Sequence, residues 1–346
     1  MDNGKNLPVR LDLEELPGEA TGVTSVLIGS RAMRDVHKLA SQVAPSDAPV
    51  LLQGESGTGK ELFARLIHVF SNRKEKPFIP VNCGVLKGEL FADKFFGHEA
   101  GAFTGASRQQ KGSFELAQDG TLFLDEVGEI PPANQADFLR VLEQRTFRRL
   151  GGERNLPFEA RIVAATNRNL LEMVRDGRFR ADLYYRLNVV PVFLPPLRLR
   201  KEDIPMLASH FIEHFSLRYH RPPIFLTPDT LRAFQDYAWP GNARELRNLI
   251  ERLVLVNPGP AVEPDDLPLE FHHGPAPHAD NDDLPESLLL DDVVRDAETR
   301  AIHRAFRIAN GDKTRTAQLL GISPRTLRHK VQQWGLVLKQ RRGQDA

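Results

Sequence analysis

Between residues 54 and 61 the chain reads GESGTGKE, so that Gly54, Glu55, Ser56, Gly57, Thr58, Gly59, Lys60 and Glu61 carry the spacing of a phosphate-gripping loop. Glycines let successive backbone N–H groups turn inward around phosphate oxygens, and a helix starting directly behind adds a favourable dipole. Lys60 is placed to reach the outer phosphates. Most such loops carry Ser or Thr after the lysine to hold Mg²⁺, whereas Glu61 stands here. Taken alone, the motif competes with a glycine-rich turn arising by chance. A second stretch, GTLFLDE, decides between them. It is an apolar strand ending in Asp125 and Glu126. The first acid can hold Mg²⁺ through water and the second can orient an attacking water. Adjacent acids at strand ends are often merely solvated, but a phosphate loop at this separation makes them half of an ATPase site.

Three further groups extend the site. Asn167 ends the strand ARIVAATN and can reach a γ-phosphate or the water. Arg244 lies in the first turn of a helix that Asn242 is expected to cap, with Glu245 completing a capping box. Positive charge there opposes the helix dipole, so an external anion is its expected partner. Arg180 and Arg186, six apart in FRADLYYRL, can act as arginine fingers, although spacing alone favours surface ion pairs. One stretch fits no nucleotide chemistry: in GHEAGAFTGA, Phe103 sits among Gly101, Ala102, Gly105 and Ala106 with no large neighbour to pack on.

These residues need a scaffold. PVLLQG, PFIPVN, TLFLDE, ARIVAATN and VVPVFL read as buried strands, with helices over 61–70 and 133–143 between them. That alternation predicts an α/β fold with a parallel sheet covered by helices. From Lys201 the strands stop and helices follow, which predicts a smaller helical domain. The expected organisation is a loose lead-in over 1–24, an α/β subdomain over 25–198, a helical lid over 199–271, a Pro- and Asp-rich linker over 272–287 and a terminal helical domain over 288–346. His272, His273 and His278 fall at the start of the linker and are expected to be solvated, not metal-bound.

Lys+Arg and Asp+Glu are both 46 in 346 residues, so net charge excludes nothing. Its distribution is informative: Lys313 to Arg342 contains eight Lys or Arg and no acid. By composition that block is equally a nucleic-acid module or a solvated tail. A single cysteine, Cys83, excludes an internal disulfide and fits a reducing compartment. The N-terminal residues lack the apolar core of a signal peptide, and no run of about 18 apolar residues predicts a membrane span. A cytoplasmic protein with no membrane partner is expected.

Together, GESGTGKE, GHEAGAFTGA, GTLFLDE, FRADLYYRL and WPGNARELRN resemble the central domain of the sigma-54-dependent transcriptional activators, bacterial enhancer-binding proteins of the AAA+ ATPase class. The resemblance covers about residues 27–271. It implies an AAA+ P-loop domain with a helical lid, assembled from dimer to hexamer as a ring with ATP between subunits. It assigns Lys60 and its loop to Walker A, Asp125 and Glu126 to Walker B, Asn82 to a relay of nucleotide state to Glu126, and Thr166 and Asn167 to the first sensor. Arg180 and Arg186 become trans-acting arginines and Arg244 the second sensor. Gly101, Ala102, Phe103, Thr104, Gly105 and Ala106 become the contact to sigma-54 RNA polymerase holoenzyme, with the loop at 148–154 in support. Lys94 and Phe95 depart from the family pattern, which places packing at the loop base in question. An AAA+ unfoldase, whose aromatic loop pulls on other proteins, is the alternative. About 24 residues precede the ATPase region, so a form without a receiver domain is expected, with control from a separate regulatory protein, expression level or assembly.

The terminal stretch TRTAQLLGISPRTLRHKVQQWGL reads as helix, tight turn, helix. Ala317, Leu319 and Leu320 supply apolar contacts, Gly321 permits the turn, and Ser323 caps ahead of Pro324. Leu327, Val331 and Trp334 share one face of the second helix. Arg325, His329 and Gln332 are then candidates for base edges, Lys313, Arg328 and Lys330 for phosphates, and Thr326 for a further DNA contact. The segment resembles the Fis-type domain that ends these activators. It implies double-stranded DNA with two-fold related half-sites, the helix over 291–309 helping to dimerise.

Overall fold

The computed structural model describes residues 9–12, 25–85, 88–257, 259–272, 302, 305–306, 309 and 312–333. The chain forms two units, Met1–Ala276 and Pro277–Ala346.

Five parallel strands make the sheet of the first unit, in the order Val190–Phe193, Val50–Gln53, Arg161–Thr166, Thr121–Asp125, Phe78–Asn82. Helices cover both faces, so the inner strands carry near-continuous apolar runs instead of an alternation. Val50, Leu51 and Leu52 are fully buried, as is every residue of Arg161–Thr166. Arg161 is charged within that run because its guanidinium donates to the carbonyls of Val43, Ala44 and Ala48, at the end of helix Arg31–Val43. Burial holds that guanidinium down at about 10. Register brings Gln53, Thr166, Asp125 and Asn82 to one edge, since Thr166 pairs with Gln53 and Asn82 with Asp125.

One face of the sheet packs on Met33, Phe63, Leu66 and Ile67. The other packs on a cluster of phenylalanines. Phe138 stands 4.7 Å from Phe95, 5.2 Å from Phe114 and 5.7 Å from Phe91, ring centre to ring centre. The departures at Lys94 and Phe95 resolve here: Phe95 is a fully buried member of this cluster and Lys94 is exposed.

The lid comprises helices Ile204–Tyr219, Pro228–Asp236 and Asn242–Val256 around buried Trp239, whose indole N–H donates to the Phe234 carbonyl. Two expectations are corrected here. Asn242 does not cap its helix. Gly241 holds that position and its N–H donates to Glu245 Oε2 at 2.8 Å, while the Asn242 amide is engaged elsewhere. Strands do not stop at Lys201 either, because Phe225–Leu226 and Ala261–Val262 pair in parallel. Two-residue strands are too short to leave a periodic signature. The lead-in also holds an unforeseen strand, Val9–Asp12, antiparallel to Ser25–Ile28.

In the second unit, helix Lys313–Leu319 is capped by Asp312, which accepts from the N–H groups of Thr314 and Arg315. Gly321, at φ +65°, makes the turn into helix Pro324–Gln333, and Ser323 Oγ accepts from Thr326 N–H. Ile302, Ala317 and Leu327 form the small core with Leu320, Ile322 and Val331. Leu319, expected to pack, is exposed instead. Trp334, His273, His278 and most of the helix expected over 291–309 lie outside the described residues.

Truncating the centre of the aromatic cluster removes contacts to four other rings. Phe138→Ala is expected to destabilise the ATPase unit by about 3–5 kcal/mol, read as the loss of unfolding free energy in urea titration.

Candidate nucleotide site and its coupling loop

The phosphate loop runs from the end of strand Val50–Gln53 into helix Lys60–Val69. Gly57 and Gly59 adopt φ +78° and +102°, backbone that a side chain would strain. A Cβ on Gly59 would meet nothing, whereas one on Gly57 would collide with the Gly241 carbonyl of the lid. Lys60 is only 7% exposed, and its ammonium donates to the carbonyls of Gly54 at 2.9 Å and Glu55 at 3.1 Å. Burial pulls the Lys60 ammonium below its ordinary range, opposed by the charges of Glu126 and Asp125. Burial pushes the Asp125 carboxyl up, and neighbouring Glu126 pushes it the same way. A buried lysine against two crowded acids is an arrangement that gains from a polyanion and a cation arriving together.

The cavity they share measures about 360 Å³ and is lined by Ser56, Gly57, Gly59, Lys60, Glu61, Asn82, Asp125, Glu126, Arg244 and Arg247, among others. Arg244 Nη1 donates to Ser56 Oγ at 3.0 Å. Arg247, which the sequence reading missed, stands one turn further along the same helix face. Its Nε is buried without a hydrogen-bond partner among the described residues, as a donor awaiting a ligand would be. The spacing Arg244-x-x-Arg247 was its only available signal. A smaller apolar pocket adjoins this cavity, sharing Gly59, Leu62, Phe211 and Ala243 with it and adding Leu27, Met33, Phe63 and Leu207. It is assembled from four distant segments, so no local pattern announces it. The donors, acids and cradle glycines fit a nucleoside triphosphate with a divalent cation.

Other expected site residues lie differently. Glu55 and Gly54 do not line the cavity. The Glu55 carboxylate is held by Arg198, and Gly54 serves through its carbonyl. Thr58 is buried against Glu55, its hydroxyl donating to the Glu55 carbonyl. Asn82 Oδ1 accepts from Gly84 N–H, and Glu61 pairs with Arg65. Glu126 takes left-handed backbone at φ +53°, its N–H on Asp125 Oδ1. Thr166 is buried and Asn167 exposed beside it, neither lining the cavity. Arg180 and Arg186 are exposed and also outside it, the first paired with Asp182, the second donating to the Leu142 carbonyl. Cys83 is buried, which pushes its thiol up.

The GAFTGA loop is closed at its neck by Gly101 N–H on the Ala106 carbonyl, at 2.7 Å. Ala106 is a buried residue at the base of the loop, below the exposed tip. Phe103 also has a local partner after all. Its ring meets His98 edge-on at 4.9 Å, and His98 is itself hydrogen-bonded to Asp93. The supporting segment at 148–154 packs directly beneath: Arg149 bridges Glu99 and Glu115, and Leu150 exchanges backbone bonds with Gly97 and Glu99.

In the second unit, Lys313, Arg325, Thr326, Arg328 and His329 are exposed, opposite buried Leu327. Gln332 lies on the same helix.

The fold and this cavity define a P-loop ATPase of the AAA+ class carrying a separate helix-turn-helix unit. Comparison with known proteins narrows the class. Residues 26–193 match the sigma-54 interaction domain, 198–284 the AAA+ ATPase lid domain and 293–334 the Fis family of bacterial regulatory proteins. The chain is 46% identical over 313 residues to the regulatory protein AtoC of Escherichia coli, covering 90% of this chain and 68% of that one. It is 52% identical over 233 residues to the Nif-specific regulatory protein of Herbaspirillum seropedicae, covering 67% of this chain but 43% of the relative. Among solved structures, NtrX from Brucella abortus in complex with ATP is similar at 34% identity and a TM-score of 0.66, covering 89% of this chain and 68% of that one. The chain belongs to the sigma-54-dependent transcriptional activators. It is an ATP-binding ATPase and a DNA-binding activator, and the unfoldase alternative is not favoured. No helix among the described residues is long and apolar enough to cross a membrane.

A Cβ at Gly151 would come within 2.9 Å of Ala102, at a backbone φ of +69°. Gly151→Ala is therefore expected to displace the loop without touching the cavity. ATPase rate should stay within about twofold of wild type, while open-complex formation on a sigma-54 promoter falls by about tenfold or more.

Proposed function

We propose that this chain acts as one subunit of a ring, assembled from dimer to hexamer, that opens sigma-54 promoter complexes by cycling its GAFTGA loop. The observation that carries the reading is a division of labour around the cavity. Lys60, Asp125, Glu126, Arg244 and Arg247 line it from within one chain, whereas Arg180 and Arg186 are exposed away from it. Arginines so placed are available to a neighbour's site, where each offsets charge during phosphoryl transfer. Lys60 and the inward N–H groups of the loop hold the outer phosphates. Glu126 orients the attacking water and accepts its proton, Asn167 senses the γ-phosphate, and Asn82 relays nucleotide state to Glu126. Mg²⁺, held by Asp125 through water, would supply charge neutralisation between phosphates. The apolar pocket beside Leu27 and Phe211 takes the base.

Phe103 and Thr104 form the tip that meets sigma-54. An aromatic on a glycine-flanked loop buries its ring on contact and is withdrawn at small cost. In the second unit, Arg325 and His329 face base edges in the major groove while Lys313, Arg328 and Lys330 meet phosphates.

Open-complex formation separates these roles. Lys60→Ala is expected to lose both ATPase activity and promoter opening, and Thr104→Ala to keep the first and lose the second. Wild-type protein that hydrolyses ATP yet opens no sigma-54 promoter would mean that the loop has another target. On DNA, Arg328→Ala should weaken binding uniformly across sequences and reduce the slope of log affinity against log salt by about 1. Arg325→Ala should instead relax selectivity at one base position, read by competition among site variants.

A further inference from the structure

Glu55 is a carboxylate inside a loop that must receive a polyphosphate, and left alone it would repel its ligand. It is not left alone. Arg198 grips it with two prongs, Nη1 on Oε2 at 2.8 Å and Nη2 on Oε1 at 2.6 Å. Asn242 Nδ2 donates to the same Oε2 at 3.1 Å and to the Ser56 carbonyl at 3.0 Å. The other end of that amide, Oδ1, accepts from Leu197 N–H at 2.7 Å. Three pieces of the molecule therefore meet at one fully buried asparagine: the phosphate loop, the joint that leads from the sheet into the lid, and the lid helix itself.

The backbone is bent to allow it. Trp239 and Asn242 both take left-handed φ, +51° and +53°, on either side of Pro240 and Gly241. Such backbone at non-glycine residues is sparsely populated and persists only where surrounding contacts over-determine it. Here it presses the Gly241 carbonyl against Gly57, where no side chain would fit. Asn242 also begins the helix that carries Arg244 and Arg247 into the cavity. Any freedom of the lid relative to the loop is freedom of those two arginines.

We propose that Glu55, Arg198 and Asn242 are positioning residues that latch the lid to the phosphate loop, with Arg198 also neutralising the loop's own carboxylate. This rests on the ATPase reading of the cavity. The latch governs how readily nucleotide is held; the groups that act on bound nucleotide are others. Glu55 and Arg198 are partly solvent-exposed, and an ion pair so placed contributes little to folding. Its effect belongs to binding.

The test is steady-state ATP hydrolysis by the full chain, resolved into KM and kcat, with thermal midpoints recorded for each variant. Arg198→Ala should raise KM for ATP about tenfold with kcat within about twofold, because it unlatches the lid and unmasks Glu55. Adding Glu55→Gln to Arg198→Ala should recover part of that loss, since the unmasked charge is then gone. A purely structural pair would make the double variant no better than the single. Asn242→Gly keeps the left-handed backbone while removing the amide, and should also raise KM; if it fails to fold, the Arg198 and Glu55 variants decide alone. The proposal is overturned by an unchanged or lowered KM in Arg198→Ala, by a loss confined to kcat, or by a double variant without recovery. Wild-type protein that hydrolyses no ATP overturns the ATPase reading itself, and the latch with it.

Discussion

Unlike charges crowded at the C-terminal edge of a parallel sheet are the constraint around which the first unit is organised. Lys60 is buried with its ammonium on two backbone carbonyls, while burial, and then the charge of adjacent Glu126, push the Asp125 carboxyl up. Neither side is comfortable without the other, and burial sharpens both effects. The sheet's register fixes their spacing, since Thr166 is level with Gln53 and, one residue back, Asp125 is level with Asn82. Two hydrophobic layers, one rich in phenylalanine, hold that register from both faces. The lid closes the remaining side and brings two arginines.

How much of this was legible in the sequence follows from how local each feature is. Five buried strands left uninterrupted apolar runs, and the phosphate loop, the acid pair and the GAFTGA segment are each contiguous. The helix-turn-helix was legible for the same reason, through Gly321 and Ser323. What failed was whatever depends on segments meeting. Asn242 has the residue type and position of a helix cap, and local rules assign it that role. Its amide instead satisfies Leu197, Glu55 and Ser56, groups that are distant in the chain. Glu55 sits within the binding motif and yet faces away from the cavity. Arg247 and the apolar pocket beside Leu27 had no contiguous signature.

Phe103 shows the same limit at shorter range. Its six-residue surroundings contain nothing to pack on, but His98 lies only five residues back, carried into contact by the turn at Gly101. His98 is in turn seated on Asp93, and the segment around Arg149 and Leu150 braces the stem. The loop is consequently continuous with the sheet's helical cover: Ser113 donates to the Lys94 carbonyl beneath it, and Phe95 reaches into the core.

The bond between Gly101 N–H and the Ala106 carbonyl has a mechanical consequence. An open glycine-rich strand behaves as a tether: it transmits tension when taut and buckles under thrust. Closing the neck converts the same six residues into a small hoop mounted on a stiff stem. A hoop bears compression, so displacement of its base arrives at Phe103 and Thr104 with little lost to slack. The glycines then confer shape on the tip more than looseness.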